Sequence, residues 1–130
     1  MPDYPYATHL DIKFGPMEKI SLDREVAAVK DQWFNQTLVK VNDSVVRMGV
    51  MQGEYHWHQH TDDDEFFFCL EGQFLIDLEP QADGETPGKV ITLGPREGFT
   101  VPKGVVHRTR APVRSVILMV ENAGIIPTGN

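Results

Sequence analysis

The sequence predicts an all-β domain, an antiparallel sandwich or barrel. From Gln36 onward short runs rich in Val, Ile, Phe and Thr recur at near-regular spacing, and turn residues separate them. A third observation attaches chemistry to that fold. Of five histidines, His56, His58 and His60 stand close together just before Glu65, and His107 lies far downstream, where a closed sheet can bring it back to the others.

The elements follow in order. Residues 1–17 carry prolines and tyrosines without periodicity, so they read as an N-terminal arm with one short strand, and residues 18–130 as the folded domain. Ser21, with Arg24 three residues on and the run EVAAVKDQW behind it, predicts one N-capped short helix near 22–33. The strand-like runs are then TLVKV, SVVRMGVM after the Asn42-Asp43 turn, YHWHQH, EFFFCLEG, QFLIDLEP, KVITLGP, GFTVPKG, VVHRTRAP and RSVILMVE. The loop at 81–88, QADGETPG, has the Gly/Pro and acidic punctuation of an exposed hairpin connection. NAGIIPTGN reads as an irregular tail laid over the sheet, and no internal repeat or low-complexity block interrupts the chain.

At 130 residues the chain is one domain, large enough to bury a core without staples. A formal charge of -7 argues against nucleic acid or an anionic membrane as the main partner, because a polyanion is repelled by such a surface. The single cysteine, Cys69, excludes an intrachain disulfide, the start MPDYPYATHL lacks the basic and apolar regions of a secretory signal, and the apolar runs are too short to span a bilayer; the expectation is a cytoplasmic protein.

If YHWHQH is extended, the H-x-H step puts His58 and His60 on one face, roughly 7 Å apart along the backbone at about 3.3 Å per residue. They can then converge on one ion with Glu65 and His107. Imidazole suits zinc, copper, iron and nickel, while a carboxylate favours harder divalent ions. Burying four ionisable groups together is costly unless an ion compensates them.

The segment from Gly53 through His58, His60 and Glu65 to Gly72 resembles the first motif of the cupin superfamily, H-x-H, three or four residues, E, six residues, G. Pro102-Lys103-Gly104-Val105-Val106-His107 resembles the second, P-x-G-x-x-H. The likeness covers Glu18 onward and is greatest to small single-domain cupins labelled mannose-6-phosphate isomerase-like, which share WHxH, DExF, LEG, VPxGVxH and a terminal TG. It implies a double-stranded β-helix, or jelly roll, a homodimer, and one divalent metal ion per chain (zinc, iron, manganese or nickel) held by His58, His60, Glu65 and His107. Three places depart from the pattern: Arg96 stands where the second motif usually opens with glycine, Ala111 replaces an asparagine four residues past the last histidine, and Gly53 is one residue closer to His58 than usual.

Strand parity places further residues, provided no bulge shifts the register. With Glu65 inward, Phe67 and Cys69 point inward too, while Phe66, Phe68 and Leu70 face a second layer or a partner; with His107 inward, Thr109 joins it in lining the pocket, and Arg108 and Arg110 point away. Some metal-dependent cupins that act as lyases have a tyrosine where this chain has Phe67, so that chemistry is not expected. His56 is a candidate proton carrier, and Asp64 a candidate hydrogen-bond partner for a ligand histidine.

Three functions are compatible with this pattern. The first is a metal-dependent enzyme acting on a small oxygen-bearing metabolite by Lewis-acid, isomerase-type chemistry. The second is a non-heme iron dioxygenase with a small aromatic or ketone substrate. The third is a non-catalytic cupin module that binds metal or a small molecule.

Overall fold

A computed structural model describes residues 6–80, 82–85 and 87–130; the first five residues of the arm, and Gln81 and Thr86 of the 81–88 loop, lie outside it. The elements are β1 (Ala7–His9), α1 (Leu22–Ala28), β2 (Trp33–Val41), β3 (Ser44–Glu54), β4 (Glu65–Glu71), β5 (Phe74–Leu78), β6 (Lys89–Leu93), β7 (Glu97–Val101) and β8 (His107–Asn122). Strands neighbour one another in the order β1-β2-β3-β8-β4-β7, and β5 joins β6 to β8. This is the jelly-roll arrangement, and β8 is its hub. Its first residues pair with β5, and from Val116 onward it lies between β3 and β4.

Alternation along the strands builds two apolar layers. Phe67 and Cys69 of β4, Phe74 and Ile76 of β5, and Ile117 and Met119 of β8 point into the roll with Trp33, Met51 and Tyr55. On the outer face Leu38, Met48, Val50 and Val116 are covered by Phe14, Ile20, Leu22, Val26 and Val29, from the arm and α1. A helix of seven residues has almost no stability of its own, so this packing is what holds α1 in place. Ser21 caps it as expected, its hydroxyl accepting from the Arg24 N–H at 3.4 Å.

The helix is shorter than the sequence suggests. Val29 already adopts extended dihedrals, and Trp33, expected near the end of the helix, is the first residue of β2 and is buried inside the roll. Core burial of one large aromatic outweighs the helical tendency of the segment before it. A second difference is that VVHRTRAP and RSVILMVE form one continuous strand despite Pro112. Pairing with β3 passes from Met51↔Ser115 to Gly53↔Ala111, so residues 112–114 fall in a bulge where the missing N–H of Pro112 is not needed. Gly53, φ +117, supplies the left-handed backbone on the opposite strand.

Gly72, the closing glycine of the first motif, has a physical reason. It turns β4 into β5 at φ +85, and a Cβ there would stand 2.9 Å from the Arg114 carbonyl oxygen and 2.3 Å from the Ser115 hydroxyl. That hydroxyl in turn receives the Gln73 N–H at 3.0 Å. We expect Gly72→Ala to cost about 2 kcal/mol or more of folding stability, from the strained backbone and the clash together. Urea unfolding of the two proteins checks this, and equal midpoints would refute it.

Candidate metal centre

One turn and one bridge assemble the site. His58 lies in no regular strand; it exchanges both backbone hydrogen bonds with His107, His58 N–H to His107 O at 2.9 Å and the return bond at 2.8 Å. The YHWHQH segment forms a β-bridge only there, with single backbone bonds such as Tyr55 N–H to Thr109 O at 2.9 Å on either side, and is not the full strand that its alternation suggests. The second motif forms a turn in which Val105 N–H meets Pro102 O at 3.3 Å and Gly104 has φ +78. Gly104 N–H donates to His60 O at 2.8 Å, so the turn docks on the ligand segment itself. Asp64 serves this turn, accepting the Lys103 N–H at 3.0 Å, rather than a ligand histidine as the sequence suggested. Its side chain sits on the outer side of the loop, exposed, where an amide is within reach.

The side chains converge as expected. One ligand atom from each of His58, His60, Glu65 and His107 lies within 4.8 Å of all the others. His60 Nε2 and His107 Nε2 are each 3.4 Å from Glu65 Oε1. That is the spacing of neighbouring donors on one ion with bonds of roughly 2.0–2.2 Å.

The imidazole tautomers make the fit specific. His58 Nδ1 bonds His56 O at 3.0 Å, His60 Nδ1 bonds Asn130 Oδ1 at 2.8 Å, and His107 Nδ1 bonds Val105 O at 2.9 Å. Each acceptor is a carbonyl oxygen, so each Nδ1 carries the proton and each Nε2 keeps its lone pair toward the cluster. His60 Nε2, His107 Nε2 and Glu65 Oε1 are buried with no hydrogen-bond partner. Buried acceptors facing one another call for a cation, and this group can hold one.

Electrostatics agree. His58 is pushed down to about 4 by burial and by the neighbouring His107. Burial opposes the charged form of His60 as well, but the Glu65 carboxylate 3.4 Å away, with help from Asn130, raises its pKa. Burial likewise disfavours the Glu65 carboxylate, and the neighbouring His107 and His60 overcome it, holding Glu65 well below the usual carboxylate range. Behind it, Glu121 is pushed well up by burial and by the Glu65 charge, which together outweigh the opposing charge of Arg47. Arg47 reaches Glu121, Nη1 to Oε1, at 3.1 Å, with both side chains buried.

Beside the cluster lies a cavity of about 20 Å³, lined by His58, Glu65, Trp33, Tyr55, Phe67 and Thr109 among others, with Pro127 closing one side. Phe67 and Thr109 are thus where parity puts them. Cys69 shares their inward face but is not among the cavity-lining residues; it is fully buried in the core beyond Phe67, where burial raises its thiol pKa. His56 does not line the cavity either. Its Nε2–H donates to Thr128 O at 2.7 Å, and its ring packs on Tyr55 with centroids 4.6 Å apart. Arg108 and Arg110 point outward onto Asp77, at 2.9 and 2.6 Å, as parity requires.

Sequence reasoning missed Arg47, Glu121 and Asn130. A charge at an inward position of the apolar runs SVVRMGVM and VILMVE was the available signal for the first two. Nothing local marks Asn130.

Residues 44–121 match the Cupin_2 family model, described as a cupin domain. The chain belongs to the cupin family. Over 94 residues it is 46% identical to the uncharacterized protein YdbB of Bacillus subtilis (strain 168), a match covering 72% of this chain and 77% of that protein. The crystal structure of a cupin-2 domain containing protein from Shewanella frigidimarina superposes with a TM-score of 0.69 at 28% identity, covering 79% of this cupin and 93% of the other. Hydroquinone 1,2-dioxygenase from Sphingomonas sp. TTNP3, solved with 4-hydroxybenzoate bound, shares the fold at a TM-score of 0.68 and 17% identity; 84% of this cupin is covered, but only 33% of the dioxygenase chain.

The pKa directions fix the sign of a proton linkage. His60 holds its proton to higher pH than an ordinary imidazole, whereas His58 loses it near pH 4, so on acidification an arriving ion must displace the His60 proton and its affinity must fall. Calorimetric zinc titration in mildly acidic buffers of different ionisation enthalpy should show proton release on binding that grows as the pH is lowered. Zinc binding with no proton released would contradict the charge state assigned here.

Proposed function

We propose that this cupin is a metal-dependent enzyme acting on a small oxygen-bearing metabolite, with His58, His60, Glu65 and His107 holding one divalent ion. The observation that carries the reading is the set of Nε2 lone pairs, fixed by Nδ1 hydrogen bonds and gathered with a carboxylate at the wall of an apolar cavity. Bound there, a divalent ion supplies Lewis-acid polarisation of a carbonyl or enediol oxygen, with coordination positions left open by the four protein donors. The chain's own part is to orient the donors, keep water scarce with Trp33, Phe67 and Phe74, and offer the Thr109 and Tyr55 side chains toward the cavity.

An iron-dependent dioxygenase working on a small aromatic or ketone substrate is the second reading, favoured by one observation. Apart from the ligand set, no histidine or carboxylate lines the cavity among the described residues, and His56 is engaged by Thr128 O. Proton-transfer chemistry needs a base within reach, whereas oxygenation of a ring held against aromatic walls does not. Assembly as a homodimer is part of the proposal, supported by the exposed Val120 beside the half-buried Phe66 and Phe68 on the outer sheet face. No helix among the described residues is long and apolar enough to cross a membrane.

Elemental analysis of the purified protein should return one divalent ion per chain. His58→Ala and His107→Ala should each lose it, and with it the metal-dependent part of thermal stability, about 2.7 kcal/mol for wild type when the free ion is at 100 times its Kd. Full metal content in either variant would overturn the ligand set. Zinc, nickel or manganese in the isolated protein supports the Lewis-acid reading, and iron with oxygen uptake on a phenolic or ketone substrate panel supports the second. A metal-loaded protein that binds and turns over no member of either panel would point to a non-catalytic binding module.

A further inference from the structure

The three ligand histidines are not supported alike. His58 and His107 donate their Nδ1 protons to carbonyl oxygens two residues back along the chain, at His56 and Val105. Their orientation is therefore secured wherever the local backbone is extended. His60 instead donates to Asn130 Oδ1 at 2.8 Å, seventy positions away in the chain.

The rest of that contact is a built one. Asn130 N–H donates to Gln59 O at 3.1 Å, and Asn130 O accepts from Thr61 Oγ1 at 3.0 Å, so bonds to the residues on both sides of His60 hold the Asn130 main chain beside it. Thr128 O holds His56 Nε2 at 2.7 Å. Gly129, at φ +118, lies so close to the motif that a Cβ there would sit 3.1 Å from the Cβ of His58. Pro127 is buried and forms part of the cavity wall. One segment of four residues after β8 thus touches all three alternate histidines and closes the cavity beside them.

We propose that residues 127–130 complete the metal centre, with Asn130 as the positioning residue for the ligand His60. This rests on the metal reading above. Without Asn130 Oδ1 the buried His60 ring loses its Nδ1 acceptor, and its proton can shift to Nε2, the atom that has to keep a lone pair for the ion. Binding is reciprocal: if the segment favours the ion, the ion must favour the docked segment.

The test compares wild type, Asn130→Ala and Asn130→Asp. Zinc affinity, measured by chelator competition, should fall about 10- to 100-fold in Asn130→Ala and stay near wild type in Asn130→Asp, which keeps an acceptor oxygen. Ring ¹⁵N NMR of the apo proteins, in alkaline buffer where His60 is neutral, should show the His60 Nδ1–H tautomer in wild type and Asn130→Asp and its loss in Asn130→Ala. In wild type alone, zinc loading should slow amide exchange at Gly129 and Asn130, a result that needs no variant to fold. Wild type that binds no zinc overturns this inference together with the metal reading. Wild type that binds zinc, with unchanged exchange in the segment and equal affinity and tautomer in Asn130→Ala, overturns this inference alone.

Discussion

The constraint on which the structure depends is electrostatic: acceptor atoms of three imidazoles and one carboxylate are buried facing one another, and the protons that would relieve them are committed elsewhere. Such an arrangement is tolerable only with positive charge in the middle. Without an ion, the Glu65 carboxylate draws a proton to His60 and raises its pKa, while burial and the neighbouring His107 lower that of His58. The local architecture serves this one requirement. The His58–His107 bridge joins the two motifs, Gly104 pins His60 from the turn, and β4 starts at Glu65 so that its first inward residue is the carboxylate.

Behind the carboxylate the same logic continues inward. Glu65 is directly opposite Glu121 on the paired strands, and burial beside that carboxylate raises the pKa of Glu121. Arg47 comes at Glu121 from β3. A buried arginine and two buried acids are a poor source of stability, since desolvation offsets most of their attraction. They set the charge behind the cluster, where the Arg47–Glu121 pair backs the Glu65 carboxylate. Polar groups in an otherwise apolar roll are thus concentrated where the donor set must be held.

Much of this was legible in the residues, for identifiable reasons. The four clustered side chains could be named because H-x-H, the following glutamate and the P-x-G-x-x-H turn are local patterns that the fold brings together. Parity correctly turned Phe67 and Thr109 toward the cavity and Arg108 and Arg110 away from it, because the register shift of β4 falls after Cys69 and that of β8 after Ala111, beyond the residues concerned. It could not tell that Cys69 lies too deep, since alternation gives a face and not a depth. The helix ends before Trp33 because propensity there yields to core burial, and the runs VVHRTRAP and RSVILMVE join into one strand because the bulge accommodates Pro112 between them. Asn130 was invisible: its partner is remote in sequence, and no periodicity records a contact made once.

The cavity walls and the donor set reinforce each other. Trp33, Met51, Phe67, Phe74 and Met119 are apolar, so the field from any charge at the cluster is weakly screened where a ligand would lie. The same low polarity makes it costly to leave the donors without a cation. A more polar wall would lessen both effects at once, easing the apo state and weakening the pull on a ligand oxygen. Most walls are strand residues held in ladders on both sides, whereas Pro127 belongs to a segment held by a few hydrogen bonds, two of them to motif histidines. The segment that holds His60 is therefore also part of the cavity wall, and cavity shape and donor geometry meet in the same few bonds.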